Sequence, residues 1–228
     1  SFFGHTSISK ILLDHQANSS CKDKNESTPV LLASLNGHTH EVTQLIAYGA
    51  SVSHPEIGGF TAIHLASSCH YDTVEVLLAN GANVLQSSED GFMPIHFSCR
   101  SGNVNITRLL LDSGADVNSS IGTHTTLHIA AKGNHDDLIR LLLARGANLE
   151  LVDDEGETPI FRAARQGCLS TLSLLIEQGS KLDARSASQC LVLHVAVEAG
   201  HMDIVLLLLD KGMDINSKDE EGNVPLYS

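Results

Sequence analysis

A short motif returns along this chain at a nearly fixed interval, and that interval limits the fold more than any other feature. Thr61-Ala-Ile-His64, Met93-Pro-Ile-His96, Thr125-Thr-Leu-His128 and Leu191-Val-Leu-His194 align with one another. Thr28-Pro-Val-Leu31 and Thr158-Pro-Ile-Phe161 fill the gaps, and Val224-Pro-Leu-Tyr227 ends the series. Their first residues fall at 28, 61, 93, 125, 158, 191 and 224, in steps of 33 or 32. A second marker keeps the same beat: Gly49, Gly81, Gly114, Gly146, Gly179 and Gly212 each follow a Leu/Ile-rich stretch, with Gln16 one period earlier. A third marker is Gly37, Gly102, Gly167 and Gly200, with Asn134 standing in once. Independent markers locked to one period describe a row of equal units that bury their faces against each other.

Each marker has a physical reading. Thr can cap a helix, and Pro suits the first helical turn, where its missing N–H would have had no partner. Small residues such as Ala66, Ala130 and Ala163 let two helices approach closely. The middle Gly permits the left-handed turn that ends the first helix. The second helix carries an aliphatic stripe, as in Ile106, Leu109 and Leu110, or Leu138, Leu141 and Leu142. The last Gly ends it, and pairs such as Asp90-Gly91 and Glu155-Gly156 make the tip of a hairpin. The pattern resembles the ankyrin repeat and covers nearly all of the chain. That resemblance implies an all-α solenoid of stacked helix-turn-helix units with β-hairpin or loop fingers.

The periodicity predicts one array with six full repeats, at about 23–55, 56–87, 88–119, 120–152, 153–185 and 186–218. Residues 1–22 read as the trailing half of an earlier repeat and 219–228 as the start of another, so a piece of something longer is expected. No linker is long enough to split the array into domains. Two spacing defects stand out. The second repeat reaches its closing Gly one residue early, which shortens the turn near Ser67 to His70, and the segment from Gly114 to Thr125 is also one residue short. The sixth repeat lacks the tip Gly and the Thr-Pro, and Phe161-Arg162 replaces the usual His and apolar pair.

Composition excludes several functions. The net charge of −13 repels phosphates, so nucleic acid is not an expected partner. The aliphatic run Ile204 to Leu209 is six residues, far short of the roughly 20 needed to span a bilayer, so no membrane insertion is expected. Five cysteines, odd in number and without a CxxC pair, read as reduced thiols in an intracellular, cytoplasmic protein, with the nucleus as an alternative. No phosphate loop, nucleophile motif or paired-carboxylate site is visible, so neither catalysis nor a cofactor is expected. His64, His96, His128 and His194 share one slot, and in ankyrin repeats that histidine bonds the backbone of the adjoining hairpin. Copies one repeat apart, roughly 10 Å, cannot share a metal ion. His38, His70, His135 and His201 recur at the start of the second helix and also read as structural. His38-x-His40-Glu41 lacks helical ligand spacing, so no metal site is expected.

The resemblance places partners on hairpin tips and the exposed side of the first helix. The residue before the Thr-Pro slot is Ser27, Phe60, Phe92, His124, Glu157 and Cys190 in turn. The exposed first-helix slot holds Leu35, Arg100, Lys132, Arg165 and Glu198. Phe60, Phe92, Arg100, His124, Lys132 and Arg165 are therefore the expected contact residues, because aromatic and Arg side chains are typical anchors. They suit another protein or a peptide segment carrying acidic and apolar residues, bound by a monomeric array that serves as scaffold or adaptor. Two alternatives remain open: the cytoplasmic array of a channel or membrane–cytoskeleton linker, and the target-recruiting part of a larger enzyme such as a ubiquitin ligase.

Overall fold

The computed structural model describes residues 4–227. The first three residues of the leading partial repeat and the last of the trailing one lie outside the described residues. Helices dominate and come in pairs. In the first unit, residues 4–121, these are α1 (Thr6–Asp14), α2 (Pro29–Leu35), α3 (Thr39–Ala47), α4 (Ala62–Ala66), α5 (Tyr71–Ala79), α6 (Pro94–Ser101) and α7 (Val104–Asp112). In the second, residues 122–227, they are α8 (Thr126–Lys132), α9 (Asp136–Ala144), α10 (Pro159–Gln166), α11 (Leu169–Glu177), α12 (Val192–Glu198) and α13 (Met202–Asp210). A 3-10 turn follows at Pro225–Tyr227. The boundary between units falls in the finger that the sequence makes one residue short. That finger also holds the two short strands, β1 (Ser120–Ile121) and β2 (His124–Thr125).

Within each unit, first helices pack on first helices and second on second. α2 contacts α4, α4 contacts α6, and α3, α5 and α7 form the parallel row behind them. In the second unit α10 lies between α8 and α12, and α11 lies between α9 and α13. The aliphatic stripes fill the layer between the rows: Leu77, Ile106, Leu110, Leu138, Leu142, Leu175 and Leu208 are all fully buried. Ala33, Ala66, Ala130, Ala163 and Ala196 are fully buried too, which is what close approach of the first helices requires. The spacing defect of the second repeat shows directly, since α4 is five residues long and stops at Ala66.

The fingers follow one rule. The backbone N–H four residues before the Thr-Pro-preceding position donates to that position's carbonyl: Asp23 to Ser27, Glu56 to Phe60, Ser88 to Phe92, Asp153 to Glu157, Ser186 to Cys190. Neighbouring fingers then join through further backbone bonds. Glu89 N–H donates to Gly58 C=O at 3.0 Å in the first unit, and Ala187 N–H to Glu155 C=O at 2.8 Å in the second. The tip glycine allows this approach: at Gly156, φ is +70° and a Cβ would sit 2.6 Å from the Ala187 nitrogen. Gly167 carries a similar double demand, with φ at +73° and the His201 ring 2.7 Å from where a Cβ would lie.

Among the described residues, four other than glycine take the left-handed backbone: Gln16 (φ 67°), Glu26 (62°), Asn134 (57°) and Gln189 (59°). Gln16 and Asn134 stand in the slots where the sequence substitutes them for glycine. Gln189 supplies the tip turn that the sixth repeat makes without Gly. A side-chain-bearing residue there costs roughly 1–2 kcal/mol, offset in part by the entropy a glycine would lose. Gln189→Gly is therefore expected to raise stability by up to about 1 kcal/mol, whereas Gly167→Ala should lower it. Urea unfolding of the two variants checks the signs, and a loss on Gln189→Gly would contradict the account.

Candidate interaction surface

The histidine slot is the hinge between helix and finger. The Nδ1 atoms of His64, His96, His128 and His194 accept the backbone N–H of Thr61 (3.1 Å), Met93 (2.9 Å), Thr125 (3.2 Å) and Leu191 (3.1 Å). The ring thus closes the helix start even where Met93 or Leu191 has no hydroxyl to cap with. An accepting Nδ1 puts the proton on Nε2 of the neutral ring. In His64 that N–H points at the carbonyls of Gln86 and Phe92, both at 3.0 Å, and in His128 at Glu157 C=O at 2.9 Å. In His96 it meets the Ser119 hydroxyl at 3.0 Å. His194 departs from the series, because its buried Nε2 has no hydrogen-bond partner among the described residues. Burial lowers the pKa of His64 and of His128, despite the carbonyls that favour their charged forms, and takes His96 down to about 4. At the start of the second helices, His70 and His201 donate from Nε2 to the carbonyls of Leu35 (3.0 Å) and Arg165 (3.2 Å), one repeat back.

The expected contact residues divide between the units. Phe60, Phe92 and Arg100 belong to the first, and His124, Lys132 and Arg165 to the second. Phe60 and Phe92 are half-buried and stand with centroids 6.3 Å apart. They meet a third ring, Phe97, at 5.9 and 5.6 Å, and the His64 ring packs edge-on to both Phe60 and Phe97. Phe97 is absent from the sequence-derived set. Its slot holds Leu32, Leu65, Ile129 and Val195 in other repeats and so reads as core in the sequence. Arg100 and Lys132 are exposed. His124 is half-buried, edge-on to His128 at 6.1 Å, with Nε2 3.9 Å from Asp153.

Arg165 has a different setting from Arg100 and Lys132. Its guanidinium bonds the Glu157 carboxylate at 2.5 Å and lies 3.8 Å from Glu198. Beside it, Arg162 fills the slot that is apolar in the other repeats. Arg162 Nε donates to Asp153 Oδ2 at 3.1 Å, and its Nη2 bonds both Asp153 and Glu155. Asp153 also accepts the backbone N–H groups of Glu155 (3.0 Å) and Glu157 (2.9 Å). Although burial pushes the Asp153 carboxyl up, the Glu157 N–H and Arg162 hold it below its ordinary value. Burial dominates at Glu157 and raises it, against the pull of Arg165. Where the fifth repeat has Phe161 instead of histidine, this ionic cluster ties the first helix to its own finger, and Phe161 is fully buried.

Two groups of acidic and histidine side chains bring ligand atoms within 4.8 Å of each other: His124, Asp153 and Asp154, and Asp153, Glu155 and Glu157. The Arg162 guanidinium is bonded into the second group. Glu41, from the His38-x-His40-Glu41 stretch, has its side chain fully buried and accepts the Ser9 hydroxyl at 2.6 Å. No helix among the described residues is long and apolar enough to cross a membrane.

Paired helices stacked in rows, with bonded fingers projecting from them, define a repeat protein of the kind that presents a recognition surface. A family model described as ankyrin repeats in three copies matches residues 1–88, 83–153 and 127–219. The chain belongs to the ankyrin-repeat family, whose domains generally mediate protein–protein interaction and are typically non-catalytic. The human ASB11 ankyrin repeat domain superposes with a TM-score of 0.82 at 26% identity, over 91% of this chain and 94% of that one. Among curated relatives, alpha-latrocrustotoxin-Lt1a of Latrodectus tredecimguttatus is 37% identical over 31% of this chain and 5% of its own length. Ankyrin repeat-containing protein P1E11.10 of Schizosaccharomyces pombe is 32% identical over 30% of this chain and 33% of its own length. The ankyrin repeat and KH domain-containing protein mask of Drosophila melanogaster is 33% identical over 35% and 2%. The matches thus span a third or less of each curated relative.

The buried neutral histidines set a pH dependence. In the unfolded chain they take up a proton near the ordinary value of 6.5, and in the fold His96 does so only near 4. Their contribution is therefore complete above about pH 6.5 and is lost as pH falls toward 4, with His96 alone accounting for on the order of 3 kcal/mol. Urea titrations at pH 7.5 and 5 should show this loss, and His96→Gln should reduce it. Equal stability at both values would refute the assignment of neutral rings.

Proposed function

We propose that this array is a non-catalytic scaffold or adaptor that recruits a protein partner inside the cell, as a monomer. The observation that carries this reading is the half-exposed cluster of Phe60, Phe92 and Phe97 at the finger bases of the first unit. Rings that are neither hidden nor solvated gain most from being covered, and aromatic side chains dominate measured binding energies. Arg100, exposed at the end of α6, adds a cation on the same first-helix slot. In the second unit His124, Lys132 and Arg165 occupy the equivalent positions. The partner segment that suits these residues carries apolar groups for the rings and acidic groups for Arg100 and Lys132. Nucleic acid does not suit a chain of net charge −13.

Affinity capture with the fragment, followed by titration of the captured protein, tests the reading. The double variant Arg100→Glu, Lys132→Glu changes exposed side chains and should keep the far-ultraviolet spectrum. It should weaken binding at least tenfold, and Phe92→Ala should weaken it comparably. A partner that binds the charge-reversed array as tightly as the parent would remove these residues from the contact surface.

A further inference from the structure

The first helices of the two units differ in a way that the repeat pattern does not require. Leu32, Leu65 and Phe97 share one slot on α2, α4 and α6, and all three are half-buried. In the second unit that slot holds Ile129, Arg162 and Val195, so a guanidinium interrupts the apolar row. Phe97 carries the first unit's row across to the fingers, because its ring meets Phe60 at 5.9 Å and Phe92 at 5.6 Å. Those rings touch one another, so nothing fits between them. A partner must lie over the strip.

The backbone along this strip is already paired. Phe60 C=O accepts the Glu56 N–H, and Gly58 C=O accepts the Glu89 N–H. Phe92 C=O accepts both the Ser88 N–H and the His64 ring, while Phe92 N–H donates to the Ser88 hydroxyl. The N–H groups of Thr61 and Met93 go to histidine rings. An extended segment needs a sheet edge to pair with, and its N–H and C=O groups would find none here. A helix arrives with its backbone groups bonded within itself. Spacing favours it too. Packed helices stand roughly 8–10 Å apart, and seven residues of helix rise about 10.5 Å. A helix lying across α2, α4 and α6 therefore sets one residue of each heptad over Leu32, Leu65 and Phe97 in turn.

The borders of the strip carry opposite charges. Glu89 and Asp90 are exposed at the finger tip, and Arg100 is exposed in the last turn of α6, one turn beyond Phe97. The tip one repeat earlier, Ile57, Gly58 and Gly59, has no charge to offset them. We propose that the strip takes an amphipathic helix of the partner. Its apolar stripe covers Leu32, Leu65 and Phe97, its acidic flank faces Arg100, and its basic flank faces Glu89 and Asp90. The proposal rests on the reading of the chain as a protein-binding array. It adds the secondary structure of the bound segment and a flank of basic charge.

Synthetic peptides of about 18 residues, enough for heptad positions over three repeats, are the probes. The first has leucines in heptad spacing, lysines along one flank and glutamates along the other. Exchanging the flanks would only reverse the direction of the helix, so the controls are one peptide with lysine on both flanks and one with glutamate on both. A further control carries proline at the centre of the mixed peptide. Methyl signals of Leu32 and Leu65 in the labelled 228-residue chain are followed at physiological salt, which screens the net charge. The mixed peptide should shift them at lower concentration than any control. Phe97→Arg, which gives α6 the side chain that α10 carries in this slot, should weaken the response about tenfold or more; Leu32→Arg serves if that variant loses its far-ultraviolet spectrum. Glu89→Lys with Asp90→Lys, at exposed positions, should weaken the mixed peptide about fivefold and make the all-glutamate peptide the tighter binder. Methyl signals that ignore the mixed peptide, a control that matches it, or folded variants that bind it as the parent does would each overturn the proposal. If the captured partner depends on Arg100 and Lys132 while the mixed peptide leaves the methyl signals in place, the wider surface stands and the helix falls. Peptide shifts as expected, with a captured partner indifferent to both charges, would leave the strip and remove the wider surface.

Discussion

A pair of short helices has two faces to hide and can hide only one against itself. Everything else in this molecule follows from that shortage. α4 has five residues and α2 seven, lengths at which an isolated helix in water does not persist. They persist because α2, α4 and α6 lie side by side, closely enough that Ala33 and Ala66 have no exposed surface left. The stack supplies the stability that the individual unit lacks. The fingers need the same help, since one internal backbone bond does not fix a loop, and their bonds to the next finger do.

The histidine slot connects these two levels. In His64, His96 and His128 one nitrogen closes a helix start and the other bonds a finger, so a single ring holds the angle between finger and core. The fifth repeat reaches the same end by other means. Phe161 takes the buried volume and Arg162, through Asp153, takes the polar bond to the finger. The substitution is not neutral in its consequences. A neutral ring is replaced by a network of charges.

The repeats and the helix pairing were legible because they depend on glycine, proline and aliphatic spacing, which act locally. The shortened α4 was legible from a missing residue. The left-handed Asn134 and Gln16 could be read from the slots they fill. The surface was legible only in part. Phe60 and Phe92 were found by their slot, but Phe97 sits in a position that reads as core, and only the geometry brings its ring to the other two. Arg165 reads as one member of a basic row, yet its charge is taken up by Glu157, eight residues before it, through a fold of the chain that spacing alone does not reveal.

The non-glycine tips differ from the glycine ones in what they put at the edge of the array. At Gly59 and Gly156 the tip has no side chain and packs against the backbone of the next finger. At Glu26 and Gln189 the same backbone turn carries a functional group outward. The strain held at those two residues sits at the outer edge of the array, where a change of side chain leaves the packed rows behind it undisturbed.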